Sequence, residues 1–151
     1  MVVITQELPD TPDASELVLE LESHLATLYA QESRHGFSVQ QLVRDGVAFF
    51  VARVNGAAAG CGGVLVVGSE YGELKRMYVR PQFRGQGIGK RLLEQLAEFS
   101  RQRGIQILRL ETGIHQTEAI RLYEGFGFCR IPPFGPYRVD PVGLCYECRL
   151  G

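Results

Sequence analysis

A glycine-rich stretch between a predicted strand and a predicted helix constrains the fold of this chain more than any other feature. The stretch is Arg84-Gly-Gln-Gly-Ile-Gly89, and the helix that follows has an apolar face running from Ile88 to Phe99. The first turn of a helix presents unpaired N–H groups at the positive end of the helix dipole. Because glycines let an anion approach such a backbone closely, the pattern predicts a phosphate-binding turn.

Two general phosphate-binding motifs fit this stretch poorly. A P-loop requires Ser or Thr after its lysine, whereas Arg91 follows Lys90. A dinucleotide-binding fingerprint requires GxGxxG, but the glycines at 85, 87 and 89 are spaced GxGxG. Glu111 ends the next predicted strand and could serve as the ribose-binding acid, yet too little chain follows it for a second mononucleotide-binding half. A nucleotide-binding module of this kind stays as an alternative.

The order of the predicted elements indicates one mixed α/β sheet. The strand before the glycine loop and the strand after its helix imply a right-handed crossover between parallel strands. Asn55-Gly56 predicts a tight hairpin turn earlier in the chain. The predicted elements, in order, are a strand at 2–4, helices at 12–29 and 39–43, a hairpin at 47–67, a strand at 71–79, the helix from 88 to 103, a strand at 105–110, a helix at 117–124 and strands at 128–131 and 143–150.

Length and composition favour one folded domain over residues 1–151. The chain is 45% hydrophobic and 22% charged, which is typical of a globular protein with its own core. The formal net charge of −1 argues against a general nucleic-acid binder. No apolar run is long enough for a membrane span, and the N-terminal sequence does not resemble a signal peptide. We therefore expect a cytoplasmic protein without nucleic-acid or membrane partners.

The cysteines predict free thiols and no metal site. Cys145 and Cys148 have CxxC spacing, but neither Cys61 nor Cys129 belongs to a second pair that would complete a zinc site. The stretch from Leu144 to Leu150 alternates like a strand, so residues three positions apart point to opposite faces.

Residues on both sides of the glycine loop resemble the GNAT superfamily of N-acetyltransferases. The loop fits the coenzyme A pyrophosphate pattern R/Q-x-x-G-x-G/A of motif A, read from Arg84 or from Gln86. Residues 73–79 look like the superfamily's fourth strand, and residues 119–128 look like motif B, A-x-x-L/F-Y-E-x-x-G-F. The resemblance implies an α/β (α+β) fold with a mixed central sheet of about six to seven strands and about four flanking helices.

The resemblance also implies an acetyl-CoA-dependent N-acetyltransferase that moves the acetyl group directly to a primary amine in a ternary complex. Loop N–H groups would bind the pyrophosphate, and fourth-strand backbone would bind the pantetheine and the developing oxyanion. Gln116 stands where many members have a cofactor-binding Asn. The expected cofactor-binding residues are Met77, Tyr78, Val79, Arg84, Gly85, Gln86, Gly87, Ile88, Gly89, Lys90 and Gln116.

Two residues are the expected catalytic groups. Glu73 lies where several members have a catalytic glutamate, and a base is needed because a free alkyl amine has a pKa near 10.4. The alternative is that Glu73 is a solvated acid or pairs with Arg76. Tyr123 matches the motif B tyrosine that protonates the leaving thiolate. The alternative is that Tyr123 only forms the buried face of its helix.

The acceptor is expected to be a small amine or an amino-acid-like molecule, flanked by the loops at 31–38 and 132–141. Candidate residues are Phe37, Phe134 and Tyr137 for an aromatic pocket, Arg34, Arg76 and Arg138 for a carboxylate, and His24, His35 and His115 for acid–base roles. A protein or peptide N-acetyltransferase and a non-catalytic coenzyme A sensor are the alternatives. A homodimer is an expectation from the family only.

Overall fold

Seven strands form one mixed sheet, in the order β1-β2-β3-β4-β5-β7-β6. The computed structural model describes residues 1–34 and 37–151. β4 and β5 are parallel, and the other neighbouring pairs are antiparallel. The elements are β1 (Val2–Glu7), α1 (Pro12–Leu28), α2 (Val39–Arg44), β2 (Ala48–Val54), β3 (Ala57–Val67), β4 (Tyr71–Val79), α3 (Ile88–Gln102), β5 (Ile107–Gly113), α4 (Thr117–Phe126), β6 (Cys129–Ile131) and β7 (Gly143–Arg149).

The predicted order of elements is confirmed, with differences at their ends. β1 continues to Glu7 because its backbone pairs with β2 over its whole length. β5 begins at Ile107 and extends to Gly113, three residues beyond the predicted end, through its pairing with β7. At the N-cap position of α1, the Thr11 hydroxyl donates to the Glu7 carboxylate at 3.2 Å and makes no hydrogen bond to the first turn of the helix. Gly104 ends α3 with a φ of +76°, as expected for a C′ glycine.

The alternation of β2 side chains builds a core on each face of the sheet. Phe49 and Val51 pack with α1 and α2, whereas Phe50 and Ala52 pack with α3 and α4. In β7, Cys145 and Cys148 likewise belong to different clusters, as the alternation predicts. Within residues 1–34 and 37–151, no helix is long and apolar enough to cross a membrane.

A bulge in β4 separates its second half from β5. The β3–β4 register shifts between Cys61 and Gly63, and Arg76 has a φ of +55°, which is rare for a residue other than glycine. Among the described residues, parallel pairing with β5 is limited to Gly72 with Leu108 and Glu73 with Arg109. The two strands therefore diverge towards their carboxyl ends, where open sheets of this kind bind their ligands.

Candidate active site

The glycine-loop cleft lies where β4 diverges from β5 and α3 begins. Its cavity volume is about 470 Å³. Backbone from β4 lies on one side of it, and the start of α4 lies on the other. The lining residues are Leu21, His24, Leu28, Met77, Tyr78, Val79, Phe83, Arg84, Gly85, Gly87, Ile88, Gly89, Lys90, His115, Gln116, Thr117, Glu118, Ala119 and Leu122. Every predicted cofactor-binding residue except Gln86 is among them.

Two different structural requirements explain the three glycines of the loop, namely backbone conformation and helix packing. Gly85 and Gly87 have φ values of +81° and +76°, and a Cβ on either would meet no atom within 4 Å. Gly89 is helical, and its Cβ would lie 2.8 Å from Cδ2 of Leu122 on α4. The first two glycines therefore serve the turn and leave its surface open, whereas Gly89 lets α3 pack closely on α4.

Arg84 is held along the edge of the cleft. Its Nε donates to the Val79 carbonyl at 3.0 Å, and its guanidinium lies 3.6 Å from the Glu118 carboxylate. Lys90 is exposed in the first turn of α3. Both cations stand beside the unpaired N–H groups of the helix start, so this end of the cleft is suited to a polyanion.

A smaller cavity adjoins this cleft, and we call it the β4–β5 cavity. Its volume is about 90 Å³. It shares Leu21, Met77 and Gln116 with the glycine-loop cleft, so the two spaces meet at these side chains. The lining residues are Leu21, Leu25, Tyr29, Ser33, Arg34, Leu74, Lys75, Arg76, Met77, Glu111, Thr112, Gly113, Gln116 and Tyr137.

Glu73 is buried and paired, although not with Arg76. Lys75 Nζ donates to its carboxylate at 2.8 Å, and the Tyr137 hydroxyl donates to the same oxygen. The partner is Lys75 because residues two apart in a strand share a face. Lys75 Nζ also lies 4.0 Å from the centre of the Phe37 ring.

Glu111 is the functional candidate that the sequence analysis assigned to a different kind of site. It lies on β5, lines the β4–β5 cavity, and makes no hydrogen bond within the described part of the chain. Burial raises the pKa of its carboxyl group to about 7, and the nearby charges of Asp140 and Glu73 act in the same direction. The sequence did contain one indication of this role: Glu111 lies near the end of the predicted strand that runs parallel to the strand carrying Glu73.

Tyr123 and Tyr29 occupy different environments. Tyr123 is buried in the core beside α3, its ring edge-on to Phe128 at 5.7 Å, and burial raises the pKa of its phenol. It does not line either cavity. Tyr29 does line the β4–β5 cavity, where its hydroxyl accepts a hydrogen bond from the His115 N–H at 3.0 Å. Gly113 permits this arrangement, because a Cβ there would overlap the Tyr29 hydroxyl.

Gln116 stands at the junction of the two spaces with its side chain turned towards β5. Its Oε1 accepts from the Gly113 N–H at 3.0 Å and from the Thr112 hydroxyl at 3.3 Å. Its carbonyl oxygen therefore holds the turn between β5 and α4.

The remaining predicted residues are distributed around the two spaces. His24 and His115 line the glycine-loop cleft, and His35 lies outside the described residues. Phe134 is buried edge-on to Tyr71 and Tyr137, and Arg138 is exposed beside a neighbouring cavity of about 180 Å³.

Within the described ranges, no cluster of three or more His, Cys, Asp or Glu residues could hold a metal ion.

Comparisons with known proteins agree with this geometry. Residues 14–128 match the model of the acetyltransferase (GNAT) family. The chain is 42% identical to an IAA acetyltransferase of Azospirillum brasilense, covering 99% of this chain and 98% of that one. A Klebsiella pneumoniae structure described as an acyl-CoA N-acyltransferase superposes with a TM-score of 0.86 at 35% identity, covering 100% and 99% of the two chains.

A more distant structure shares the fold. The PaiA N-acetyltransferase of Thermoplasma acidophilum, solved in complex with coenzyme A, has a TM-score of 0.78 at 20% identity and is covered over 99% of both chains. The family match extends over most of the sequence, including both the glycine loop and the α4 segment. The chain therefore belongs to the GNAT family of acetyltransferases and is an acyltransferase.

Proposed function

We propose that the protein transfers the acetyl group of acetyl-CoA directly to the primary amine of a small molecule or amino-acid-like acceptor. The observation that carries this proposal is the meeting of two spaces at Leu21, Met77 and Gln116. The larger one ends at a helix start whose unpaired N–H groups suit an anion, and the smaller one contains ionisable groups. A cofactor and an acceptor can thus reach each other from opposite sides without an acetylated enzyme intermediate.

The glycine-loop cleft is the proposed site for coenzyme A. Backbone N–H groups from Gly85 to Lys90 would bind the pyrophosphate, with Arg84 and Lys90 adding positive charge. Backbone of Met77, Tyr78 and Val79, freed from β5 by the bulge, would pair with the pantetheine. The coenzyme A bound to the Thermoplasma structure of the same fold supports this assignment.

Transfer needs an amine that has lost its proton. The nitrogen lone pair then attacks the thioester carbonyl carbon and the C–N bond forms. The C–S bond breaks, the thiolate leaves with its electron pair, the nitrogen loses its remaining extra proton, and the thiolate takes up a proton to give free coenzyme A. Backbone N–H groups of the β4 bulge would stabilise the oxyanion.

Glu111 is the base that the local chemistry favours. Its carboxylate is free of hydrogen bonds from the described residues, and its pKa near 7 allows it to accept a proton at neutral pH. Glu73, the base predicted from the resemblance, already accepts hydrogen bonds from Lys75 and Tyr137. Glu73 remains a proposal for this role, and the alternative is that it orders Lys75 and Tyr137 around the acceptor.

Tyr123 remains the proposed proton donor to the thiolate. A phenol with a raised pKa keeps its proton at neutral pH. Because Tyr123 is buried in the core, the proposal requires that the bound thiol approach its hydroxyl group. Tyr29, whose hydroxyl is already at the β4–β5 cavity, provides the comparison residue.

Calorimetric titration with acetyl-CoA, coenzyme A and NAD tests the cofactor first. We expect micromolar binding of acetyl-CoA and no binding of NAD. The reverse result would favour the dinucleotide-binding alternative and refute the proposal.

Release of free coenzyme A in the presence of an amine panel then tests transfer. We expect kcat/KM to rise with pH through about 7, and Glu111→Gln to remove that rise while Glu73→Gln retains it. Tyr123→Phe is expected to lower kcat, and Tyr29→Phe serves as its comparison. Binding of acetyl-CoA without turnover of any amine would favour the sensor alternative.

A further inference from the structure

Three basic residues, Arg34, Lys75 and Arg76, line the β4–β5 cavity, and two of them share one carboxylate among the described residues. Lys75 pairs with Glu73 at 2.8 Å. Arg34 and Arg76 share the single carboxylate of Glu22, at 2.8 Å and 2.7 Å respectively. Two guanidinium groups on one carboxylate leave one positive charge in excess within this cluster of described residues.

The two arginines differ in how many of their donors are used. Arg76 is nearly inaccessible, and its Nε donates to the Phe37 carbonyl at 2.8 Å in addition to its bond with Glu22. Arg34 bonds Glu22 through Nη1 alone, and its buried Nε has no partner among the described residues. A buried N–H without a partner is unfavourable, and in a binding cavity it is satisfied when a ligand supplies the acceptor.

We infer that the acceptor carries a carboxylate as well as its amine and that Arg34 binds this carboxylate as a specificity-determining residue. The inference rests on the proposed function, since it concerns the acceptor of that same site. A planar guanidinium with unused donors matches the two oxygens of a carboxylate. Glu111, on β5 in the same cavity, provides the complementary contact for the amine.

An amino-acid-like zwitterion satisfies both ends of this arrangement. Its carboxylate neutralises the excess positive charge at Arg34 and Arg76, and its ammonium group faces a carboxyl that can take up the proton. The cavity of about 90 Å³ suits a compact molecule. A polyamine would instead place a second cation beside an already positive wall, which is unfavourable in a partly desolvated site.

The test compares α-amino acids with the amines that differ from them only by loss of the carboxylate. The full chain, saturated with acetyl-CoA, is assayed for coenzyme A release with the twenty standard amino acids and their decarboxylated counterparts. We expect kcat/KM for the best amino acid to exceed that of its counterpart at least about tenfold, the effect of one charge-assisted contact. Arg34→Gln should abolish this preference mainly through KM and change the counterpart less than about twofold.

The control variant is Arg44→Gln, which removes an exposed arginine of α2 outside both cavities. It should leave the preference intact. Amines turned over as well without the carboxylate as with it would overturn the inference and leave the proposed function standing. An equal loss for both substrates in Arg34→Gln would also overturn it. If no amine of either kind were acetylated, both the inference and the proposed function would fall.

Discussion

At the scale of single residues, two glutamates on neighbouring strands have opposite environments. Glu73 is buried but receives hydrogen bonds from Lys75 and Tyr137, whereas Glu111 is enclosed without such donors among the described residues. A carboxylate that is already paired is a poor proton acceptor, and an unpaired one in a desolvated site is a better one. Two residues of the same type therefore have different environments once the strands are side by side.

The pH dependence of stability provides a test of the Glu111 environment. Its pKa is raised from 4.5 to about 7, so the unfolded chain loses this proton near pH 4.5 and the folded chain keeps it until about pH 7. Over that window, the free energy of unfolding should fall by roughly 3 kcal/mol as pH rises. Glu111→Gln should remove this fall, as measured by urea unfolding from pH 4.5 to 8. The exposed Glu94→Gln on α3 should keep it, and a fall that persists in Glu111→Gln would contradict the assignment.

Breaking the buried Glu73–Lys75 pair provides a second test at this scale. Glu73→Gln leaves the Lys75 ammonium buried with weaker partners, and we expect a loss of about 3 kcal/mol in the free energy of unfolding. Adding Lys75→Met should restore part of that loss, because no buried charge then remains unpaired. Urea denaturation of the two variants and the wild type measures this. If Glu73→Gln unfolded at the wild-type concentration of urea, the pair would not contribute to the stability of the fold.

At the scale of elements, the start of α3 both lines the glycine-loop cleft and packs against α4. Gly85 and Gly87 shape the turn, while Gly89 brings α3 against Leu122 of α4. The motif seen in the sequence thus combines the conformational requirement of the turn with a packing requirement. Spacing alone could not separate the two, because the packing partner lies more than thirty residues along the chain.

Coupling between Gly89 and Leu122 tests the packing requirement. Gly89→Ala forces a methyl group against the end of the Leu122 side chain. The net cost should be about 1 kcal/mol, because that side chain can shift and alanine favours a helix more than glycine does. In a Leu122→Ala background, the same substitution should cost at least about 1 kcal/mol less, since the obstructing atoms are gone. A double-mutant cycle by urea denaturation gives the interaction energy. Strict additivity of the two substitutions would show that the helices do not meet at this point.

At the scale of the whole molecule, the order of helices and strands could be predicted from the sequence better than the side-chain contacts between them. The alternation of β2, the Asn55-Gly56 hairpin turn and the helix after the glycine loop are local patterns, and the structure confirms them. The pairing considered for Glu73 was with Arg76, but the structure pairs it with Lys75, which lies on the same face of β4. Local patterns were therefore sufficient to predict the order of the elements and a mixed α/β sheet, whereas the number of strands was expected from the resemblance to the family.

The environment of Glu111 depends on contacts that no local pattern contains. Its pKa reflects burial between β4 and β5 and the nearness of Asp140, which belongs to the loop before β7. Tyr123 was recognised from its motif, but whether its ring faces the core or a cleft depends on how α4 packs against α3. The motifs therefore identified candidate side chains, but they did not contain the surroundings on which the role of each side chain depends.

Binding of acetyl-CoA should stabilise the whole molecule, because the proposed ligand joins β4, α3 and α4. At about one hundred times Kd, a ligand specific for the folded state contributes about 2.7 kcal/mol, which corresponds to a rise in Tm of about 5–10 °C for a domain of this size. The position of the ligand can be tested with two glycines that flank α3.

Gly87 and Gly104 both have a φ of +76°, and a Cβ on either would meet no atom within 4 Å, but only Gly87 lines the cleft. Alanine at either position should cost about 1 kcal/mol of stability in the absence of ligand. Gly104→Ala should retain the full rise in Tm with acetyl-CoA, whereas Gly87→Ala should lose most of it, because its methyl group occupies the surface where the pyrophosphate would lie. Equal ligand-induced shifts in the two variants would mean that the cofactor does not bind at the start of α3.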